Sequence, residues 1–586
     1  MTSRKSQYLI ATRSVPGFPP VPVEQVQQLL NDTPDVESVK VLAFRSGLGT
    51  FPENIGGPQR VIVARMPDSS AQMLQQAAGP RLIIERDHLL SFPAEAVPLC
   101  ADPGIAVAPG EGFTVTITVM GSNGPVPRAQ VYLFGSQWPA RGITDKNGEV
   151  ELTIDSEAPE AVRGLFVKPE ADFWSLWLPN PNLDRDGDNV VTLTSLRETI
   201  PNFPKTALTG WGLRALKIDQ LPPNFRGQGI KVGLIDTGIS THDGLKRVKE
   251  GIDLTSNDRQ GWKEDEAGHG TFCAGIIAAN ADGGGVRGCA PEVELLVCKL
   301  YPGGRYSDLL QALESCIEQQ VDIINLNLGG PEPSELIEQA LLKAKLVGIA
   351  CITAAGDSGS PLQGLAASPT VLTASALGKF GEFPPNSYHA HTIAGRVTAE
   401  GYFSARFTSF GPQVGICAPG VAVISTAPGN GYAVGDGTSV AAAHITGLAA
   451  LILAHHPEFQ VQGAPAARSP QRVERLFQVI KQSAQLLDVG DISRTGLGLP
   501  DATRAFAPEP FAVLHGGLGA MQSVMSPLSA FAGLGGIPNV GTLGSVARPV
   551  PFPVAPASWP FPFTARPAAS STGPTLADEQ RGPRLR

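Results

Sequence analysis

Four runs of apolar residues, at 230–235, 295–300, 323–328 and 349–354, constrain this chain more than any other feature. A strand that is apolar at nearly every position has to be covered on both faces. The architecture that does this is a mainly parallel sheet with helices above and below it. Segments with helical spacing at 309–319 and 334–345 lie between the runs. The span 208–506 is therefore expected to be an α/β domain with a mainly parallel sheet and helices on both faces.

At 586 residues the chain exceeds what one core can organise, and the texture ahead of residue 208 differs. Over 7–92 the pattern reads strand (8–11), helix (23–30), strands (36–44 and 60–65), helix (69–78) and strand (81–85). That order, βαββαβ, predicts a small ferredoxin-like α+β domain. Over 104–195 short β runs (113–119, 130–134, 149–154, 164–167, 189–193) alternate with turns such as Asp145-Lys146-Asn147-Gly148, which predicts a β-sandwich module. Residues 201–205 read as a linker. From 507 to 586 Pro, Gly, Ala and Ser dominate without periodicity, which reads as a disordered tail.

Apolar content of 42% with 17% charged residues describes a soluble globular chain, and a net charge of −9 argues against nucleic acid as a partner. No apolar run approaches the roughly 20 residues that span a bilayer, so no membrane partner is expected. Residues 1–18 lack the apolar core of a signal peptide, which points to a chain that is cytoplasmic as synthesised and leaves export by a non-classical route open. The seven cysteines (100, 273, 289, 298, 316, 351 and 417) are an odd number in mostly apolar settings and read as buried free thiols.

Acyl transfer by serine needs a hydroxyl, a base to take its proton and an acid to orient the base. Asp236 ends the first buried run, in Leu234-Ile235-Asp236-Thr237-Gly238. His269 opens an apolar helix in Gly268-His269-Gly270-Thr271. Ser439 opens another in Gly437-Thr438-Ser439-Val440-Ala441-Ala442. A serine at a helix N-terminus sits beside unpaired N–H groups able to face an oxyanion. The pattern Gly356-Asp357-Ser358-Gly359 is similar to the nucleophile motif of trypsin-like proteases. Those enzymes are antiparallel barrels, and here the motif falls in an α/β region, so it is read as a decoy.

The three motifs, in the order Asp, His, Ser, resemble those of the subtilisin family, as do Gly288-Cys289-Ala290-Pro291, Asn325-Leu326-Asn327-Leu328-Gly329-Gly330 and Ala418-Pro419-Gly420. The resemblance implies a serine endopeptidase acting on proteins or peptides, with Asp236, His269 and Ser439 as catalytic triad. It implies substrate binding at Asn327, Leu328, Gly329 and Gly330. It also makes 7–92 an inhibitory propeptide bound in cis, with 88–92 reaching the cleft. Asp357 takes the oxyanion position, where the family generally has Asn; an ionised Asp only accepts hydrogen bonds, whereas a protonated one donates. The alternative is a weakly active or inactive pseudoprotease serving as a binding scaffold. No metal is expected at the catalytic site, and calcium at Asn280 and Asp282 is the one cofactor left open. Cys273, four residues after His269, is read as packed beneath the helix, and His242, His455 and His456 as surface residues.

Overall fold

In the computed structural model the first strand of the chain contributes to two cores at once. The structure describes residues 5–507 apart from 20, 45–59, 92–111, 136–138, 156–157, 257, 331, 462–463 and 466. The expected tail beyond 507 and Cys100 lie outside the described residues. Strand β1 (Lys5–Thr12), helix α1 (Val23–Asn31), β2 (Glu37–Ala43), β3 (Arg60–Pro67), α2 (Asp68–Ala78) and β4 (Leu82–Arg86) form an antiparallel sheet of order β2-β3-β1-β4. Side chains alternate across a strand. Tyr8 and Ile10 accordingly pack with Val26, Leu30 and Ala71 under the two helices. Leu9 and Ala11 point the other way and join Leu309, Leu313, Leu336 and Ile337 of the large domain. Both faces are covered, which is why this strand reads as an unbroken apolar run.

Residues 113–192 form two facing sheets. Phe113–Gly121 alternates strictly, with Phe113, Val115, Ile117 and Val119 inward and Thr114 and Thr116 exposed. Two strands absent from the sequence expectation, Ala140–Ile143 and Leu176–Pro179, complete the second sheet. The module is fixed to the large domain by an isolated bridge between Leu176 and Ser387 and by a bond from the Asp172 N–H to the Tyr432 carbonyl (2.6 Å). The expected linker at 201–205 is instead part of this junction. Phe203 is buried with Trp174, Leu196 and Phe403.

In the large domain, strands Glu250–Asp253, Glu294–Lys299, Lys231–Asp236, Ile323–Leu326, Ala350–Ala354 and Leu372–Lys379 lie side by side in that order, all parallel. Helices Tyr306–Glu318 and Glu335–Leu346 pack on one face with the N-terminal sheet beyond them. Helices His269–Ala278 and Thr438–His455 pack on the other. The 18-residue helix Thr438–His455 is apolar enough to cross a membrane by length and composition, yet it lies almost wholly inside this core. Its Ala-rich first turns let it lie close against the small-residue strand Leu372–Lys379.

Candidate active site

The strand Lys231–Asp236 delivers Asp236 at its carboxyl end, where α/β sheets place their ligands. The turn that follows needs Gly238, whose φ of 106° lies in the region favouring glycine. Gly270 is needed opposite it, because a Cβ there would lie 2.0 Å from the Gly238 carbonyl oxygen. That close approach brings His269, the first residue of its helix, over Asp236. Its Nδ1 lies 2.8 Å from Asp236 Oδ1, and its Nε2 lies 2.7 Å from Ser439 Oγ. The imidazole thus donates from Nδ1 to the carboxylate and accepts the serine proton at Nε2. Burial opposes a charged ring, but the Asp236 carboxylate and its hydrogen bond outweigh it and hold His269 well above the ordinary histidine range.

Asp236 is fully buried and needs its acceptors filled. Oδ1 also accepts the Thr237 N–H (2.7 Å), and Oδ2 accepts the Asn327 side-chain amide (2.9 Å). Asn327, expected on the cleft surface, is itself fully buried and orients the triad carboxylate from below. A second carboxylate, unnoticed in the sequence, braces the same region. Asp265 accepts the Thr237 hydroxyl (2.7 Å), the Gly268 N–H (2.9 Å) and both the N–H and hydroxyl of Thr271 (2.8 and 2.6 Å). It ties the strand bearing Asp236 to the helix bearing His269, and burial pushes its carboxyl upward against those bonds. An Asp shortly ahead of a helix start is the available signal.

Cys273 lies beneath the imidazole, its Sγ 3.8 Å from Nδ1 and 3.9 Å from Nε2. Burial pushes this thiol up to about 11, so it is a neutral packing group at ordinary pH. Asp236, His269 and Cys273 are the one group of potential metal ligands among the described residues; two of them are triad members and the third packs beneath the imidazole. In the loop expected to hold calcium, the Asn280 amide donates to Asp282 (3.0 Å), and Arg226 stands 3.6 Å from Asp282. His242 is buried, with Nε2 3.0 Å from the Gly431 carbonyl oxygen, His456 is buried as well, and His455 is half-buried, stacked on Phe225 at 4.4 Å. His242 and His455 depart from the surface expectation because each meets backbone that only the fold brings near, Gly431 for His242 and Arg226 and Gly227 for His455, while His456 caps the Glu458 N–H two residues on.

Asp357 follows the strand Ala350–Ala354. Its Oδ1 accepts the Thr438 N–H (2.8 Å), closing the first turn of the nucleophile's helix. A Cβ on Gly437 would lie 3.3 Å from Asp357 Oδ2 and 3.0 Å from Ser439 Oγ, so both oxygens border the same small space. Burial raises the Asp357 carboxyl to about 6, opposed by its bonds to Thr438 and by the charge of His269. Ser358, the serine of the decoy motif, is exposed, and its hydroxyl bonds the Ser360 and Ser409 hydroxyls instead of a histidine base.

The cleft beside the triad holds a strand from the N-terminal domain. Ser91 exchanges both backbone bonds with Gly329 (2.9 and 3.0 Å). On the other rim the Leu90 N–H donates to Gly304 (2.9 Å) and the Tyr306 N–H to His88 (3.0 Å). The Tyr301 hydroxyl donates to the Ser91 carbonyl (2.7 Å). Leu90 packs with Tyr306, Leu309 and Leu328. Just upstream, Glu85 accepts the Ser334 hydroxyl and Glu335 N–H (both 2.6 Å), and Asp87 accepts the Ser307 N–H (2.9 Å). Two carboxylates thus sit at the N-termini of the two helices beneath the sheet, the ends that favour negative charge.

Geometry of this kind defines a class first: serine hydrolases that carry their triad on a parallel α/β sheet. A sequence model of the subtilase family matches residues 227–498. Subtilisin DY of Bacillus licheniformis is 36% identical over 252 residues, 42% of this chain and 85% of that protein. M-protease of Shouchella clausii is 34% identical over 306 residues, 52% of this chain and 69% of that protein. Subtilisin Savinase of Lederbergia lenta is 34% identical over 236 residues, 40% of this chain and 79% of that protein. The chain belongs to the subtilase family.

Proposed function

We propose that this subtilisin-like serine endopeptidase is made as a precursor inhibited in cis by its own N-terminal domain. Ser439 attacks the scissile carbonyl while His269 takes its proton, and Asp236 fixes the imidazole and offsets its charge. His269 returns the proton to the leaving amine, and water repeats the cycle on the acyl-enzyme. The Ser439 N–H and the protonated Asp357 face the oxyanion. Substrate enters as an extended strand between the 304–306 and 328–330 rims, using Leu328, Gly329 and Gly330. No cofactor is needed for these steps; calcium at Asn280 and Asp282 would serve stability alone.

The observation that carries the reading is residues 88–91, seated as a strand in that cleft next to an assembled triad. A serine-directed fluorophosphonate tests it. The wild type, once processed, is expected to be labelled and Ser439→Ala is not. Asp357 favours one rival, a pseudoprotease that binds without cutting. Failure of the processed wild type to label or to cleave a peptide would establish that rival instead.

A further inference from the structure

The sandwich module reaches the nucleophile's loop through a buried polar cluster. His389, 2% exposed, places Nδ1 2.8 and 2.9 Å from the two carboxylate oxygens of Asp436. On the other side its Nε2 lies 3.4 Å from Ser175 Oγ of the sandwich. The rings of Trp174, Phe383 and Tyr388 surround the imidazole, and the Thr392 hydroxyl donates to the His389 carbonyl (2.8 Å). Asp436 Oδ1 also accepts the Ala422 N–H (2.6 Å). Lys168 ends the sandwich strand Gly164–Lys168. Burial lowers its ammonium to about 8, and the charge of Asp436 opposes that.

Asp436 stands three residues before Ser439, and every residue between is anchored in turn. The Gly437 N–H donates to the Gly420 carbonyl (2.9 Å) and the Thr438 N–H to Asp357 (2.8 Å). The Thr438 hydroxyl accepts the Gly356 N–H (2.9 Å). Asp436 is thus one of the anchors, with Gly420, Asp357 and Gly356, that fix the short segment presenting Ser439 Oγ. Misplacement of a reacting atom by about 1 Å can cost on the order of 100-fold in rate.

We propose that Asp436 is a positioning residue for Ser439, held in place by His389, whose far ring nitrogen meets Ser175 of the sandwich, which makes the sandwich a working part of the catalytic unit. This rests on Ser439 being the nucleophile. The test measures kcat and KM on one peptide for the full chain, with each preparation titrated by a serine-directed phosphonate so that unfolded molecules drop out. Asp436→Ala is expected to lower kcat per titrated site about 10-fold or more with KM nearly unchanged. Asp436→Asn, which keeps an acceptor for Ala422, recovers part of it. Ser175→Ala is expected to lower kcat about 3-fold alone and to add nothing in the Asp436→Ala background. Unchanged kcat per titrated site in Asp436→Ala, with only less titratable protein, would reduce Asp436 to a stability role and overturn the proposal. Additive losses for Ser175→Ala and Asp436→Ala would remove the sandwich from it. A wild type that cannot be titrated at all would refute the protease reading itself, a result distinct from both.

Discussion

Replacing Asp357 by Asn tests the chemistry most directly. Asn at this position keeps an oxygen for the Thr438 N–H and puts an N–H₂ where Oδ2 now borders Ser439. With the wild-type carboxyl raised to about 6, its neutral, donating form is full only below that pH. At pH 8 about one molecule in 100 carries the proton. His269 makes the opposite demand. It is held above the ordinary histidine range, so it is a free base only on the alkaline side. The competent state, with Asp357 protonated and His269 neutral, is then a minority at every pH, and kcat should trace a low bell. Losing one oxyanion donor costs about 10²–10³ in kcat, a magnitude measured on a subtilisin. The Ser439 N–H survives, so the expected gain for Asp357→Asn at pH 8 is about 10-fold or more, or about 1.4 kcal/mol of barrier. The Asn variant should rise through the His269 titration and stay level, while wild type falls on the alkaline side. The assay is kcat against pH for both proteins on one peptide. Superimposable profiles would mean that Asp357 does not face the oxyanion, and its part in the mechanism would fall.

Purified wild type should acquire a new N-terminus between Ser91 and Phe113, and Ser439→Ala should stay full-length, as read by N-terminal sequencing. Asn327→Ala removes the donor to Asp236 Oδ2 in a fully buried setting, and kcat should fall about 10-fold or more with KM nearly constant. Iodoacetamide should leave peptidase activity intact over an hour at pH 8, because Cys273 is buried with a thiol near 11; rapid loss that Cys273→Ala prevents would contradict this. Calcium at about 100 times its Kd is expected to stabilise the fold by about 2.7 kcal/mol, raising the unfolding temperature of wild type but not of Asp282→Ala.

What the sequence disclosed, and what it hid, follows from how each part is buried. Lys231–Asp236, Ile323–Leu326 and Ala350–Ala354 are covered on both faces, so each stands out as a solid apolar run. Leu372–Lys379 is equally buried yet was missed, because it packs against an Ala-rich helix and carries Thr, Ala, Ser and Gly in place of bulky groups. In the sandwich, Ala140–Ile143 carries no strand signal because none of its residues is buried and its one large apolar residue, Ile143, is on the exposed side. The triad was legible because glycines must flank it, and those glycines make short, distinctive motifs. Asn327 and His389 act on groups that lie 91 and 47 residues away in the chain, and no local pattern marks such partners.

On the proposed precursor reading, the position of the sandwich between the N-terminal domain and the protease decides what one cut can accomplish. Trp174 and Leu196 of the sandwich side share a buried cluster with Phe403 and Val421 of the catalytic domain, and Trp177 and Phe166 share another with Tyr388. Cleavage after Ser91 therefore severs the N-terminal domain alone and leaves the sandwich on the enzyme. The severed domain does not simply leave. Leu9, Val61, Val63 and Ile83 face the helices Tyr306–Glu318 and Glu335–Leu346, and re-exposing each such side chain costs about 1.5–3 kcal/mol. What the cut removes is the tether, which held the two surfaces at an effective concentration on the order of millimolar. Activity then depends on whether the detached domain is diluted or destroyed faster than it rebinds, so the first free enzyme to digest an inhibitor domain releases others, and activation should accelerate as it proceeds.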